Sequence, residues 1–455
     1  MINQDIGRGE GVFISTYGCQ MNVNDTERML ALLEMIGFVP VSEPRKASLI
    51  IINSCSVREK PVHKVHSELG HYREMKESNP RVRLGVGGCV AQQEKQKLLK
   101  DIPLLDFVFG TDSIDQLPEI IARSYSSKEK VVSAKFDHEN PYTVETLIRN
   151  PGVAAFVNIM KGCDNFCTFC VVPFTRGRER SRGLKELLSD IRALTVRGVK
   201  EVTLLGQNVN SYGSDCGANF ADLLRVLAED TDLERIRYTT SHPKDFNQEL
   251  VDISQKYRSK ICDYIHLPAQ SGNSEVLARM NRGYTREQYL EKVAMIREGI
   301  PGVVLSTDII VGFPGETRQQ FDDTMSLIEA VRYDNIYAFK YSPRPFTKAA
   351  KYTDQISDLE AQRRLQLLLD RQREICFDLA KAYQGTMVDV LVEARAEVAG
   401  QFQGRTTQNK NVFFSIPGHE QNPDASAGER LIGQTVPIKV NRAFPTVLRG
   451  ELILQ

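Results

Sequence analysis

Six of the nine cysteines fall into two triplets. Cys163, Cys167 and Cys170 lie within eight residues in a C-x₃-C-x₂-C arrangement, whereas Cys19, Cys55 and Cys89 stand 36 and 34 residues apart. Thiolates are soft ligands that suit zinc and iron–sulfur clusters. Zinc usually recruits four protein ligands, often as two C-x₂-C pairs, and no partner pair follows the compact triplet. A nitrogen from His242 or His266 keeps zinc as an alternative. Three cysteines on a four-iron cube leave one iron open to an outside ligand, which is where chemistry is expected. For the spread triplet the plain alternative is three separate buried thiols, since free cysteine is among the most buried residue types.

The spread triplet depends on its elements to bring it together. Three β-type runs, Val12 to Tyr17, Ser48 to Asn53 and Arg81 to Val86, are each followed closely by one of these cysteines. Between them, Asn24 or Asp25 is placed to cap a helix carrying Met29, Leu30, Leu33 and Ile36, with Gly37 to end it. A second helix is expected from Pro61 to Lys76. Strand, helix, strand at this spacing is a βαβ unit, so the strands are expected to be parallel and to deliver Cys19, Cys55 and Cys89 to one carboxyl edge. Gly18, Gly87 and Gly88 let the backbone approach a bulky ligand.

The compact triplet follows a strand at Ala155 to Met160. Five more strands are expected: Val199 to Leu205, Arg235 to Thr240, Cys262 to Leu267, Val303 to Ile310 and Asn335 to Tyr341. Helices at Leu184 to Val196, Arg286 to Arg297 and Arg318 to Ala330 alternate with them. Six such units form most of a TIM-like barrel, with its site at the carboxyl ends of the strands. Polar and glycine-rich groups recur there: Gly206, Gln207 and Asn208; Ser241 and His242; Gln270, Ser271 and Gly272; Gly312, Pro314, Gly315 and Glu316. An open iron in this position can chelate S-adenosylmethionine, whose one-electron cleavage gives a radical able to abstract hydrogen from carbon.

After a helix at Ile356 to Tyr383, short strands at Met387 to Glu393, Asn411 to Ser415, Thr435 to Asn441 and Val447 to Leu454 read as a small antiparallel β-barrel of oligonucleotide-binding type. This segment carries equal numbers of basic and acidic residues. Stronger positive runs are Arg176, Arg178, Arg180 and Arg182 beside the compact triplet, and Arg363, Arg364, Arg371 and Arg373 on the helix. Charge runs are usually solvated faces, but the first is placed to grip a phosphate.

Over all 455 residues, 58 basic and 58 acidic side chains balance, so any basic surface is local. A hydrophobic fraction of 41% with no run long enough to span a bilayer, and no signal-type leader, points to a cytoplasmic chain of several domains. An odd number of cysteines in that setting argues for metal or redox use over disulfides.

YGCQMN (Tyr17 to Asn22), INSC ending at Cys55, GGCVAQ (Gly87 to Gln92), GCDNFCTFCVVPFTRGRERSR (Gly162 to Arg182), LLGQNVNSYG, HLPAQSGN and VGFPGET together resemble the methylthiotransferases of the radical S-adenosylmethionine superfamily. The resemblance covers nearly the whole chain. It implies an α/β multidomain protein: a parallel α/β domain at 11–127, a partial (β/α)₆ barrel at 149–380, and a TRAM β-barrel at 383–455. It implies two 4Fe–4S clusters, a radical-generating one on Cys163, Cys167 and Cys170 and an auxiliary one on Cys19, Cys55 and Cys89. S-adenosylmethionine would be used twice per turnover, once to methylate a sulfur on the auxiliary cluster and once to form the radical. Its contacts would be Phe169, Gly206, Gln207, Asn208, Ser241, Gln270 and Asp308. RNA contacts would be Arg176, Arg178, Arg405 and Asn409.

GRTTQNKNVFF (Gly404 to Phe414) resembles the branch that modifies isopentenyladenosine at C2 beside the tRNA anticodon. The family's other substrates, a ribosomal-protein aspartate and threonylcarbamoyladenosine in tRNA, are the alternatives, and a non-catalytic RNA-binding iron–sulfur protein is the alternative of another class. Expected partners are the tRNA anticodon stem-loop, a flavodoxin or ferredoxin electron donor, and the iron–sulfur assembly machinery, with no membrane. The chain departs from the family where YSPRPGT is common: it has YSPRPFTKAA, with Phe346 and Lys348.

Overall fold

A computed structural model describes residues 6–56, 59–127, 129–136, 142, 145–398, 400–417 and 430–453. The first unit is a six-stranded sheet, ordered β2-β1-β3-β4-β5-β6, in which every pair is parallel. Its strands are β1 (Gly11–Tyr17), β2 (Val39–Pro40), β3 (Leu49–Ser54), β4 (Arg83–Gly88), β5 (Phe107–Phe109) and β6 (Val131–Ser133). Helices α1 (Gln20–Glu34), α2 (Glu59–Ser78), α3 (Cys89–Glu94), α4 (Gln96–Asp101) and α5 (Leu117–Ser126) connect them. Both faces are covered: Leu49 and Ile51 join a core with Met29 and Leu33 of α1, while Ile50 and Ile52 join one with Val65 and Leu69 of α2. This alternation explains the uninterrupted hydrophobic run of β3. The three-residue strands β5 and β6 are too short to stand out in the sequence.

The first helix starts five or six residues earlier than expected. Cys19, in extended conformation, precedes its first turn, and no side chain caps it. Asn24, which donates to the Phe156 carbonyl, and Asp25, which is buried against Arg176, both lie inside the helix, so neither is its cap. Gly37, at φ 90°, follows the helix in the left-handed region as expected.

The second unit begins with β7 (Ala154–Asn158), then the two-residue strands β8 (Met160–Lys161) and β9 (Arg180–Ser181), which pair and enclose the compact cysteine loop and the short α6 (Val172–Thr175). There follow α7 (Leu184–Val196), β10 (Glu201–Leu205), α8 (Phe220–Asp230), β11 (Arg235–Tyr238), α9 (Gln248–Lys256), β12 (Tyr264–His266), α10 (Ser274–Arg279), α11 (Arg286–Gly299), β13 (Val304–Val311), α12 (Arg318–Val331), β14 (Asn335–Lys340) and α13 (Asp358–Lys381). Parallel sheets β11-β10-β7 and β12-β13-β14 are joined by one parallel bridge, Ile236 to Ile261. The six strands thus make a partial barrel over a single large core. Capping boxes at Asn219, Thr285 and Thr317 start α8, α11 and α12.

The last unit is a closed barrel of β15 (Met387–Arg395), β16 (Gln401–Arg405), β17 (Asn411–Ser415), β18 (Thr435–Ala443) and β19 (Val447–Leu452). The sequence reading lacks β16, whose residues QFQGR bury only Phe402 and Gly404. β17 and β19 pair in parallel, so the barrel is not wholly antiparallel. The expected strand end at Leu454 lies outside the described residues.

This barrel is seated on the amino ends of the catalytic strands. Arg235 and Arg237 of β11 donate to the carbonyls of Arg405, Thr406 and Thr407, and Arg405 pairs at 2.7 Å with Glu201, the first residue of β10. It therefore lies at the end of the catalytic barrel opposite the cysteine loop. Among the described residues, no helix is long and apolar enough to cross a membrane.

Candidate active site

The spread triplet converges because three neighbouring parallel strands end in register. Tyr17 lies beside Ser54, and Ser54 beside Gly88, so Cys19, Cys55 and Cys89 leave one sheet edge together. Space there is made by glycine. A Cβ on Gly18 would sit 2.5 Å from the Cβ of Cys55, and one on Gly88 would sit 2.4 Å from Oδ1 of Asn53. Both glycines have positive φ, 145° and 85°. Asn53 fixes the edge from below, its amide donating to the Asn22 carbonyl at 2.8 Å and to the Thr26 hydroxyl at 2.9 Å.

The three thiols act on one another. Hydrogen bonds with Cys19 and Cys89, together with burial, push the Cys55 thiol well up, while its bond to each of them and the nearby Arg176 draw Cys19 down to about 6 and Cys89 to about 7. Cys55 and Cys89 are buried and Cys19 is exposed, so the set opens on one side.

The compact triplet sits in the loop between β8 and β9. The Cys163 amide donates to the Gly177 carbonyl at 3.2 Å, and Asn165 donates to the Cys163 sulfur at 3.5 Å. Arg282, buried, donates to the Cys167 sulfur at 3.4 Å and to the Pro268 carbonyl at 2.9 Å. Burial pushes Cys163 up to about 11 and Cys170 up to about 12, so these thiols hold their protons until a metal displaces them. No group of three His, Cys, Asp or Glu among the described residues is arranged around a single ion. His266 is engaged with Ser306 at 2.9 Å, and burial lowers His242 to about 2, leaving it neutral.

The two sets are tied together by Arg176, six residues after Cys170. Its guanidinium meets Asp25 of α1 at 2.7 Å, both side chains being less than a tenth exposed. Thr111 to the Thr175 carbonyl at 2.8 Å, Lys161 to Asp112 at 2.7 Å and Asn24 to the Phe156 carbonyl at 2.9 Å also join the two units.

Comparison with known proteins agrees with this geometry. Residues 11–110 match an uncharacterised protein family, UPF0004; residues 157–328 match the radical SAM superfamily; residues 381–453 match the TRAM domain. The tRNA-2-methylthio-N(6)-dimethylallyladenosine synthase of Bdellovibrio bacteriovorus is 60% identical over 99% of this chain and 97% of its own length. The synthase of the same name from Geotalea uraniireducens is 46% identical over 97% and 98%. The chain belongs to the radical SAM methylthiotransferases. In solved structures the fold is shared with the radical S-adenosylmethionine methyltransferase TsrM from Kitasatospora setae, with TM-score 0.54 and 15% identity over 75% of this chain and 74% of that one.

Membership of the radical SAM superfamily implies a 4Fe–4S cluster and S-adenosylmethionine. Of the residues expected to touch the latter, Phe169 packs partly buried beside Val276, Met280 and Phe313. The Ser241 hydroxyl is buried with no hydrogen-bond partner among the described residues. Asp308 faces the barrel lumen, 3.6 Å from His266, and its carbonyl accepts from Gln270, which is held at φ 70°. Gly206 lies against Met160, where a Cβ would come within 2.6 Å of the side chain. Gln207 and Asn208 have partners within the protein. Gln207 accepts from the Gly162 amide and so anchors the cysteine loop, while Asn208, 1% exposed, joins Asp245 at 2.7 Å to the His242 amide at 3.1 Å.

The expected RNA contacts sit in different surroundings. Arg176 and Arg182 are buried in ion pairs, so two of the four arginines beside the cysteine loop point inward. Arg405 is occupied by Glu201 and Glu393, and Asn409 accepts from Arg405 at 3.1 Å, both at the foot of the catalytic barrel. Only Arg178 stands outward, paired with Asp164 and stacked over Phe166 at 5.2 Å. Arg364 likewise turns inward, onto Glu316 at 2.7 Å. Arg282, and Asp25 as the partner of Arg176 and not a helix cap, are the neighbours the sequence reading lacks. Of the histidines on α2, His71 is exposed, and the side chains of His63 and His66 lie outside the described residues.

Proposed function

We propose that this protein inserts a methylthio group at C2 of an N6-dimethylallyl (isopentenyl) adenosine in the anticodon stem-loop of tRNA, with one 4Fe–4S cluster on each cysteine triplet. The observation that supports this best is the joining of two open three-thiol sets by the buried Arg176–Asp25 pair, in a chain 60% identical to a synthase of that product. When bound, the clusters and S-adenosylmethionine supply a carbon-centred radical and a transferable methylthio sulfur.

The chain's own residues set the stage for that chemistry. Asn53, Gly18 and Gly88 hold the auxiliary cysteines to one edge, and Arg176 places positive charge beside Cys19 and Cys89. Arg282 steadies Cys167, and Gln207 holds the start of the radical-set loop. The C-terminal barrel closes the foot of the catalytic barrel, leaving the carboxyl end for RNA. Electrons would come from a flavodoxin or ferredoxin, and the clusters from iron–sulfur assembly machinery.

The test is incubation of reconstituted enzyme with S-adenosylmethionine, reductant and tRNA carrying dimethylallyladenosine but lacking the methylthio group, followed by nucleoside mass spectrometry. The mass gain of methylthio insertion is the expected result, and its absence sinks the assignment. Iron analysis is expected to give about eight irons per chain, falling to about four in Cys55→Ala.

A further inference from the structure

Phe346 occupies a position built for glycine. The Thr347 amide donates to the Arg344 carbonyl at 3.3 Å, closing a turn with Pro345 and Phe346 at its centre. Phe346 has φ 68°, the left-handed conformation that the third residue of such a Pro-led turn needs and that glycine normally supplies. The ring is nonetheless 62% exposed, so burial does not explain a bulky residue there. Strain of this kind tends to gather at functional sites.

The turn is fixed at the mouth of the site. Thr347 and Ala349 are buried, and the Ala349 amide donates at 2.8 Å to the carbonyl of Thr168, between Cys167 and Phe169. The Phe346 ring meets Phe174, 39% exposed, with centroids 5.9 Å apart and planes at 37°. Phe174 lies on α6, which follows Cys170, is followed directly by Arg176 and packs on α3, whose first residue is Cys89. The aromatic pair therefore stands where the two cysteine sets meet. Exposed Lys348 lies on the same turn, and Arg178 with exposed Phe166 lies along the same loop.

We propose that Phe174 and Phe346 form a stacking platform for an unpaired nucleobase adjacent to the target adenosine, a reading that rests on the RNA substrate proposed above. Exposed aromatic faces with cations at the edge bind single-stranded RNA by stacking, which tolerates any base and needs no closed pocket. A branched five-carbon tail would instead require an enclosed apolar slot, and this pair is open. The residue that enlarges the loop thus adds affinity for the RNA at the expense of turn strain.

The test compares reconstituted wild type with Phe346→Gly, Phe346→Leu and Phe346→Tyr. It reads KM and kcat on undermodified tRNA, Kd for anticodon stem-loop RNA with and without the dimethylallyl group, and the unfolding midpoint. In Phe346→Gly, KM and Kd rise about tenfold for both RNAs, with the change falling on KM more than on kcat, while the unfolding midpoint rises as the turn relaxes. Phe346→Leu behaves like Phe346→Gly in binding, and Phe346→Tyr stays near wild type. A raised midpoint with unchanged Kd would show a merely structural turn and overturn the proposal. A loss confined to the dimethylallylated RNA would assign the pair to the tail and overturn it too. Failure of wild type to bind either RNA would remove the RNA substrate itself, a result distinct from both.

Discussion

Arg176 and Asp25, 151 residues apart in sequence, meet at 2.7 Å with both side chains almost wholly buried. The pair joins the helix that follows Cys19 to the segment that follows Cys170, so each cysteine set is positioned partly by the other's unit. A buried ion pair of this kind is weak as a source of net stability but costly to break from one side.

Arg176→Met is accordingly expected to cost about 3–5 kcal/mol in urea unfolding, because Asp25 is left buried and unpaired. Adding Asp25→Asn is expected to recover part of that loss, which a double-mutant cycle reads directly. Strict additivity of the two losses would show that the residues act separately.

Gly18→Ala places a methyl group against the Cβ of Cys55 at a backbone angle that L-residues avoid. Iron per chain is expected to fall from about eight toward about four, with reductive cleavage of S-adenosylmethionine retained. Retention of both clusters would mean that the sheet edge has slack the contacts do not show.

Arg405→Ala separates a structural role from an RNA contact at a residue whose motif suggested RNA. Its guanidinium serves Glu201, which is fully buried, and Glu393. Stability is expected to drop by about 2–4 kcal/mol, while the slope of log Kd for tRNA against log salt stays unchanged, since no phosphate contact is removed. A salt slope reduced by about one unit would return Arg405 to the RNA interface.

Asp190 gives a pH test. Burial alone would raise its pKa, but the Arg182 guanidinium at 2.6 Å and the Thr146 amide outweigh that and leave it below the ordinary aspartate value. A depressed carboxyl stabilises the fold above the unfolded value of about 3.9 and loses that contribution as pH falls through the folded value. Asp190→Asn is therefore expected to lose about 2 kcal/mol at pH 7. The gap to wild type should narrow as the pH falls below about 4, as followed by thermal unfolding. A gap constant down to pH 2 would show that the charge on Asp190 is immaterial.

Much of this protein is local and therefore written in the sequence. The compact triplet needs only a loop, and its C-x₃-C-x₂-C spacing announces it. Helices such as α7 appear at their predicted bounds because their apolar period of 3.6 is a property of the segment itself. The convergence of Cys19, Cys55 and Cys89 was also legible, since strand, helix and strand of that length leave one right-handed parallel solution. Strands of three residues, such as β5, carry too little pattern to be seen.

What tertiary structure alone decided is where charge goes. Arginines at 176, 178, 180 and 182 look alike in sequence, yet Arg176 and Arg182 are buried against Asp25 and Asp190 while Arg178 faces solvent. Arg405 and Asn409, RNA candidates in the sequence, are brought by folding to Glu201, which pairs with Arg405. A charged side chain's role is set by whether an opposite charge reaches it through low-dielectric space. That distance exists only after the chain has folded.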